Sequence, residues 1–486
     1  MFQVMKNRAL LPFFILLPIL SAHADPVFQA TGVKVGEVTF NEARVWTRLT
    51  AAETRNATGF LRKGRPAEVL PDDLKISQIE GSCPGASGKV RVWYASQTNL
   101  EEAGKNLDAP PTEDHFQITD WQEVEKENDF SHTFHLLGLD PSTDYAGYVQ
   151  TDREDYDGNE GMLPFRFQTA PLPDASAPVT FTVITGQMYS DTDRPDGFEI
   201  YPAMADLKPH FLVSTGDTVY YDNEDPRATT VPVARYHWHR MYSFPTLRDF
   251  HTSYPAYWIK DDHDTYSNDC WPGIEEEKMK PLKFEEGQEI FLEQVPMSEK
   301  TYRTFRWGKH LQVWLPEGRD FRSPNPMADG PDKTILGREQ KDWLKESMLE
   351  SDADWKILVS ATPVVGPDRP TKGDNHANVA FEHEGRELRE FFAEHFPDNF
   401  FVVCGDRHWQ YHSRDPETSV EEFSCGPASD SHAGGFPQDP AFDYLWSRVK
   451  GGFLSVTVAP KGAGSALIFR HHDVEGNVVH EVKKKL

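Results

Sequence analysis

Over the first third of the chain, hydrophobic and polar residues alternate with period two. "EARVWTRLT" (42–50) carries Trp46 in such a run, and "KVRVWYAS" (89–96) sets Val90, Val92 and Tyr94 against Lys89, Arg91 and Trp93. This is the pattern of strands with one buried face. "FSHTFHLLGLDPSTDYAGYVQTD" (130–152) predicts a strand, a turn at Leu137-Gly138-Leu139-Asp140-Pro141 and a second strand entered near Tyr145. That order is the tyrosine corner of β-sandwiches, in which the hydroxyl bonds back to upstream backbone. "MLPFRFQTAP" (162–171) supplies a last strand.

Residues 25–170 thus resemble a fibronectin type III-like β-sandwich, an accessory or packing domain to which no chemistry is assigned. "TAPLPDASAP" (169–178), rich in proline and alanine, reads as the linker. The pattern then changes. "VTFTVITG" (179–186) and "HFLVSTGD" (210–217) are unbroken apolar runs bounded by glycine, as strands buried on both faces are. "GFEIYPAMADLK" (197–208) between them has helical spacing. "GREQKDWLKESMLES" (337–351) predicts an amphipathic helix with Trp343, Leu344 and Met348 on one face. "DWKILVSATPV" (354–364), "EGRELREFFAEH" (384–395) and "NFFVVCGD" (399–406) continue as strand, helix, strand. "FLSVTVAP" (453–460) and "SALIFRHHDVEGNVVHEV" (465–482) predict a closing antiparallel pair turned at Glu475-Gly476-Asn477. Residues 179–486 are therefore expected to form an α/β domain.

The first 24 residues stand outside the fold. Lys6 and Arg8, an apolar run from Ala9 to Leu20 and Ala22-His23-Ala24 make a charged start, a hydrophobic centre and a small-x-small cleavage site. The run is short for a bilayer span, and no later segment is long and apolar enough for one. A cleaved secretory signal and a periplasmic or extracellular protein are expected. The formal net charge of −27 argues against nucleic-acid and anionic-membrane partners. An anionic substrate would then need positive charge concentrated locally. Cys83, Cys270, Cys404 and Cys425 show no zinc spacing, and their pairing is not legible.

Three strands end alike, in Gly216-Asp217-Thr218-Val219-Tyr220, Asp261-Asp262-His263-Asp264 and Gly405-Asp406-Arg407-His408. Delivered to one sheet edge, these groups would repel by roughly 4 kcal/mol per close carboxylate pair at an effective dielectric of 20. Metal ions remove that cost and make a Lewis-acid site.

GDTVYYD, WIKDDHD and CGDRH match, in order, the motifs of the calcineurin-like metallophosphoesterases. The chain most resembles the alkaline phosphatase D (PhoD) branch, which reads GD-x-x-Y, W-D-D-H and G-D-x-H. "LPEGRDFRSPN" (315–325) and "LGREQKDWL" (336–344) look like further segments of it, and the similarity covers about residues 179 to 480. The resemblance implies a four-layer β-sandwich core flanked by helices and hydrolysis of phosphate esters. It implies two di- or trivalent cations, calcium or iron foremost. Asp217 would bridge them, Tyr220 would bind the first as a phenolate, Asp262 the second, and Asp406 and His408 would divide between the two. His263 would meet the phosphoryl oxygen or protonate the leaving group, and Arg319 or Arg407 would clamp phosphoryl oxygens.

Two departures stand out. Gly186 takes the place where the branch has a cysteine ligand, so a ligand must come from Gln187, Asp191, Asp193 or water, or one metal is lost. With hard oxygen donors and a single imidazole left, iron loses ground and calcium or magnesium gains. "GPDRPTKGDNHANVAFEHEG" (366–385) replaces a shorter segment; its Asp374, Asn375 and His376 are candidates to supply a ligand or touch substrate, or they form an exposed turn with an Asp cap. The expected substrate is a small phosphate ester. A diester, a phospholipid or a sulfate ester on the same scaffold, or a decayed secreted binding protein, stays open.

Overall fold

The computed structural model describes residues 27–102, 113–152, 161–369, 371–437, 444–462 and 464–486. The secretory signal expected at 1–24 lies outside the described residues. The chain is a mixed α/β protein rich in sheet. Val179–Ile184, Phe211–Ser214 and Ala256–Trp258 pair in parallel at the centre of a nine-stranded sheet. Leu311–Leu315, Trp355–Ser360, Phe400–Cys404 and Glu421–Cys425 run parallel in a seven-stranded sheet. Apart from Glu421–Cys425, which reads EEFSC, their largely apolar sequences follow from burial on both faces. Val183, Val213, Ile357, Val403, Phe423 and Phe469 fill the space between the sheets.

Helices cover the outer faces. Ile200–Asp206, Val231–Tyr242, Pro245–Ser253 and Phe284–Gln294 pack on the nine-stranded sheet. Arg338–Glu350 and Glu382–His395 pack on the other, with Leu344 and Met348 buried and Trp343 partly so. Phe423 stacks on Phe469 at 4.0 Å and on His412 at 4.3 Å, wholly buried between the layers. Phe423→Ala is expected to cost about 3–5 kcal/mol, read as a lower urea midpoint with an unchanged slope.

The N-terminal strands form two facing layers. Gly88–Ser96, Asp144–Thr151 and Met162–Gln168 lie in a five-stranded sheet. Val33–Gly36, Glu42–Arg48 and Ser131–Leu137 face it across a shared core. This second layer is continuous with the nine-stranded sheet, because Gly36 pairs in parallel with Ala256. The Tyr145 hydroxyl accepts from the Asp140 amide at 2.9 Å, and Gly138 turns the chain at φ +70°. A buried ion network anchors the N-terminal part to the helices. Asp129 binds Arg48 and His239 and accepts from Gln294 Nε2 at 2.8 Å.

The closing segment is three strands, Phe453–Lys461, Gly464–His472 and Val478–Lys485, and the turn at 473–477 joins the last two. All four cysteines are free thiols; Cys404 Sγ faces the Tyr411 hydroxyl and Cys425 Sγ faces the Cys404 carbonyl. Among the described residues no helix is long and apolar enough to cross a membrane.

Candidate metal centre

The parallel strands of both sheets end at one place. After Ile184 the chain turns at Gly186, φ +61°; after Ser214 at Gly216 and Asp217, φ +95° and +53°; after Cys404 at Asp406, φ +57°. Two aspartates in the left-handed region are strained, each by about 1–2 kcal/mol, and such residues cluster at functional sites. Gly405 has no alternative. A Cβ there would lie 2.3 Å from Thr215 Oγ1 and 2.8 Å from Thr185 Oγ1, because the ends of the two sheets meet across it.

The junction gathers six residues that the sequence put at separate strand ends. The Tyr220 hydroxyl donates to Asp217 Oδ2 at 3.1 Å, and His408 Nε2 lies 3.9 Å from the same oxygen. Donor atoms of Asp217, Asp262 and His263 lie within 4.8 Å of one another. His263 packs over the Tyr220 ring at 4.4 Å, and its Nδ1 bonds Asp222 Oδ1 at 2.7 Å. Asp217, His263, Asp406 and His408 line a cavity of about 450 Å³, with Tyr220 and Asp262 buried behind them.

The electrostatics show a deficit of positive charge. Burial raises the Asp217 carboxyl to about 7; Asp262 adds to the rise, while His263 and the Tyr220 hydroxyl oppose it. Burial and the Asp217 carboxylate push the Tyr220 phenol well up. His263 goes the other way. Burial disfavours its cation, but Asp222, Asp262 and Asp217 outweigh that and hold it up at about 10. Burial and the neighbouring His432, Arg407 and His263 lower His408, and burial lowers His432, so both imidazoles keep a free lone pair. Asp217 Oδ1 is buried with no hydrogen-bond partner. Acceptors thus outnumber protons here, and the residues fit a cation.

The remaining expected residues lie off the cavity. Arg319 is wholly buried, donating from Nε to Asp261 Oδ1 at 2.7 Å, with Nη2 3.7 Å from Asp262 Oδ2. Arg407 is also buried, against Asp406 and Asp368. Asn375 Nδ2 donates to Asp368 Oδ2 at 2.8 Å, and His376 Nε2 bonds Glu384 Oε2 at 2.9 Å. The turn that carries these two is internal, so an exposed Asp cap does not describe it.

Besides His263, the cationic groups among the described residues that line the cavity are Arg65, Arg369 and Lys372, joined by Asp191 and His432. Arg65 comes from the N-terminal part, and no local motif links it to strand ends more than a hundred residues away. His432 sits in "PASDSHAGG" (427–435), where its only sequence signal was a histidine flanked by small residues.

A sequence model of the PhoD-like phosphatases matches residues 181–443, more than half of the chain. The chain belongs to the PhoD-like phosphatase family. This family member is similar to alkaline phosphatase D of Bacillus subtilis (strain 168), 22% identical over 269 residues. The match covers 47% of this chain and 44% of that protein, so it spans under half the length of the relative. A solved structure of PhoD superposes with a TM-score of 0.70 at 17% identity, covering 96% of this chain and 90% of the other. The purple acid phosphatase PPD1 from yellow lupin (Lupinus luteus) seeds superposes with a TM-score of 0.58 at 12% identity, covering 93% and 73%. Both likenesses establish that the fold of this PhoD-like phosphatase is shared.

Proposed function

We propose that the chain is an exported, metal-dependent phosphoesterase of the alkaline phosphatase D type. The observation that carries this reading is the Asp217 carboxylate, buried beside Asp262 with one oxygen unpartnered where both sheets end. In this reading Asp217, Tyr220, Asp262, Asp406 and His408 would hold the cations, with Asp217 shared between them. A cation held there supplies Lewis-acid chemistry: it polarises a phosphoryl oxygen and acidifies water.

The chain's own groups do the rest. Asp222 takes His263 Nδ1, which leaves Nε2 free to hand a proton to the departing oxygen. Arg319 and Arg407 act as positioning residues, steadying Asp262 and Asp406 from behind. Arg65, Arg369 and Lys372 concentrate positive charge at the cavity in a chain of formal charge −27. That favours a doubly charged phosphomonoester over a singly charged diester or sulfate ester. We read the leader at 1–24 as an export signal, and the scaffold as a four-layer core over 179–486 preceded by a fibronectin type III-like domain over 25–170.

The test uses mature protein, exhaustively chelated and then reloaded with calcium, magnesium, manganese or iron, against nitrophenyl monoester, diester and sulfate-ester substrates. Hydrolysis is expected to vanish on chelation, return on reloading, and be fastest for the monoester. Undiminished turnover with no metal left by elemental analysis would reject metal dependence. Sulfate-ester preference would reject the substrate class.

A further inference from the structure

Gly186 offers no side chain to the proposed cation position, and the fold brings another residue's side chain to the same place. A Cβ built on Gly186 would have His432 Cδ2 as its nearest neighbour, at 3.2 Å, with His408 Cδ2 at 3.6 Å. His432 reaches this point on a fixed loop. The Ala428 amide donates to the Gly186 carbonyl at 3.2 Å, and the Gly434 amide to the His408 carbonyl at 3.0 Å. Asp430 holds the loop from outside, accepting from the Gly451 amide at 2.9 Å and Lys450 Nζ at 2.7 Å.

The geometry points to His432 as a metal ligand that stands in for the side chain missing at residue 186, completing a phenolate, carboxylate and two-imidazole site. This rests on the metal-dependent reading above. His432 is 7% exposed, and its Nδ1 lies 2.8 Å from Asp191 Oδ2. A carboxylate can only accept, so Nδ1 carries the proton and Nε2 presents a lone pair. That Nε2 lies 2.8 Å from the Tyr220 oxygen, which lies 3.1 Å from Asp217 Oδ2, which lies 3.9 Å from His408 Nε2. One hydroxyl proton cannot serve both His432 and Asp217. Ligands about 2.1 Å from a common ion stand roughly 3–3.5 Å apart, and the three steps of this run, 2.8, 3.1 and 3.9 Å, fall on either side of that spacing.

Two other candidates for the missing ligand are already engaged elsewhere. Gln187 Oε1 accepts from the Tyr201 hydroxyl, and Asp193 Oδ1 accepts from the Glu199 amide at 2.8 Å. Asp191 acts through His432, in the carboxylate–histidine–metal arrangement that orients a ligand and raises its basicity. The donor set also changes the choice of ion. Two imidazoles with a phenolate suit a first-row transition cation, whereas calcium prefers oxygen alone.

The experiment compares wild type, His432→Ala, His432→Gln and Asp191→Asn as full mature chains. Cation stoichiometry and affinity are read by elemental analysis and chelator competition with manganese and zinc. Electron paramagnetic resonance of the copper(II)-loaded proteins counts coordinated nitrogens. Both His432 variants are expected to lose more than about 100-fold in affinity at one position, and Asp191→Asn about 10–100-fold. One nitrogen coupling should disappear in the His432 variants, with the metal-free melting temperature unchanged. Equal affinity and equal nitrogen coupling in wild type and His432→Gln would overturn the assignment while leaving metal dependence standing. A wild type that binds no cation would overturn both.

Discussion

Asp217→Asn is expected to lower kcat/KM by more than about 10³-fold, about 4 kcal/mol of transition-state stabilisation, without harming the fold. The amide keeps the shape of the side chain, and asparagine tolerates the left-handed backbone at φ +53°. What goes is the charge that two cations would share. The same change relieves a carboxyl that burial and Asp262 push up to about 7 in the metal-free protein. Melting of the metal-free variant should therefore match or exceed that of the wild type. The two readouts together isolate the role. Lost activity with lower stability would mean that Asp217 is structural, and retained activity would remove the bridging carboxylate altogether.

His263→Ala carries the second large effect. General acid catalysis by a positioned imidazole is worth about 10²–10⁴-fold. The loss should depend on the leaving group. An alkyl phosphate, whose alkoxide needs a proton, is expected to lose the full amount; a nitrophenyl phosphate, whose phenolate leaves unaided, roughly tenfold. Asp222→Asn should fall between wild type and His263→Ala, because it loosens the imidazole at Nδ1 without removing it. Equal losses on both substrates would assign His263 to binding rather than proton transfer.

These effects rest on a site whose parts are held unequally. Asp217 and Asp406 sit on strained backbone at the ends of rigid strands. Asp262 is fixed by its own loop, with Oδ1 accepting from the His263 amide at 2.8 Å and Oδ2 from the Asp269 amide at 2.6 Å. Asp264 ties that loop to its neighbour by accepting from the Thr218 and Asp261 amides at 3.1 and 2.7 Å. Carboxylates locked this way cannot turn aside when burial disfavours their charge, so their mutual repulsion is relieved only by taking up a proton or by a cation, if one is bound.

The sequence by itself determined the strands that carry the centre. Each is a short apolar run with ionisable residues at its end, and two of the three also carry a glycine there, Gly216 and Gly405; these signals are local, since burial demands the run and the tight turns demand the glycines. It also placed Asp217, Tyr220, Asp262, His263, Asp406 and His408 at these ends. It was silent on the helix Val231–Tyr242, which is buried nearly all round, so that no polar face marks a period. It was equally silent on Leu311–Leu315 and Gln410–Arg414, short strands that pair antiparallel with Arg303–Trp307 and Glu421–Cys425, whose mixed polar and apolar residues mark no clear period. Only the tertiary structure decided which charges face the cavity. Arg319 and Arg407 look like phosphate clamps in sequence, yet both are spent on internal carboxylates. Arg65 and His432 carry no motif, and packing alone brings them to the cavity. The division has one cause. Hydrophobic period and turn chemistry are encoded residue by residue, whereas the partner of a charge is set by whichever distant segment the fold lays beside it.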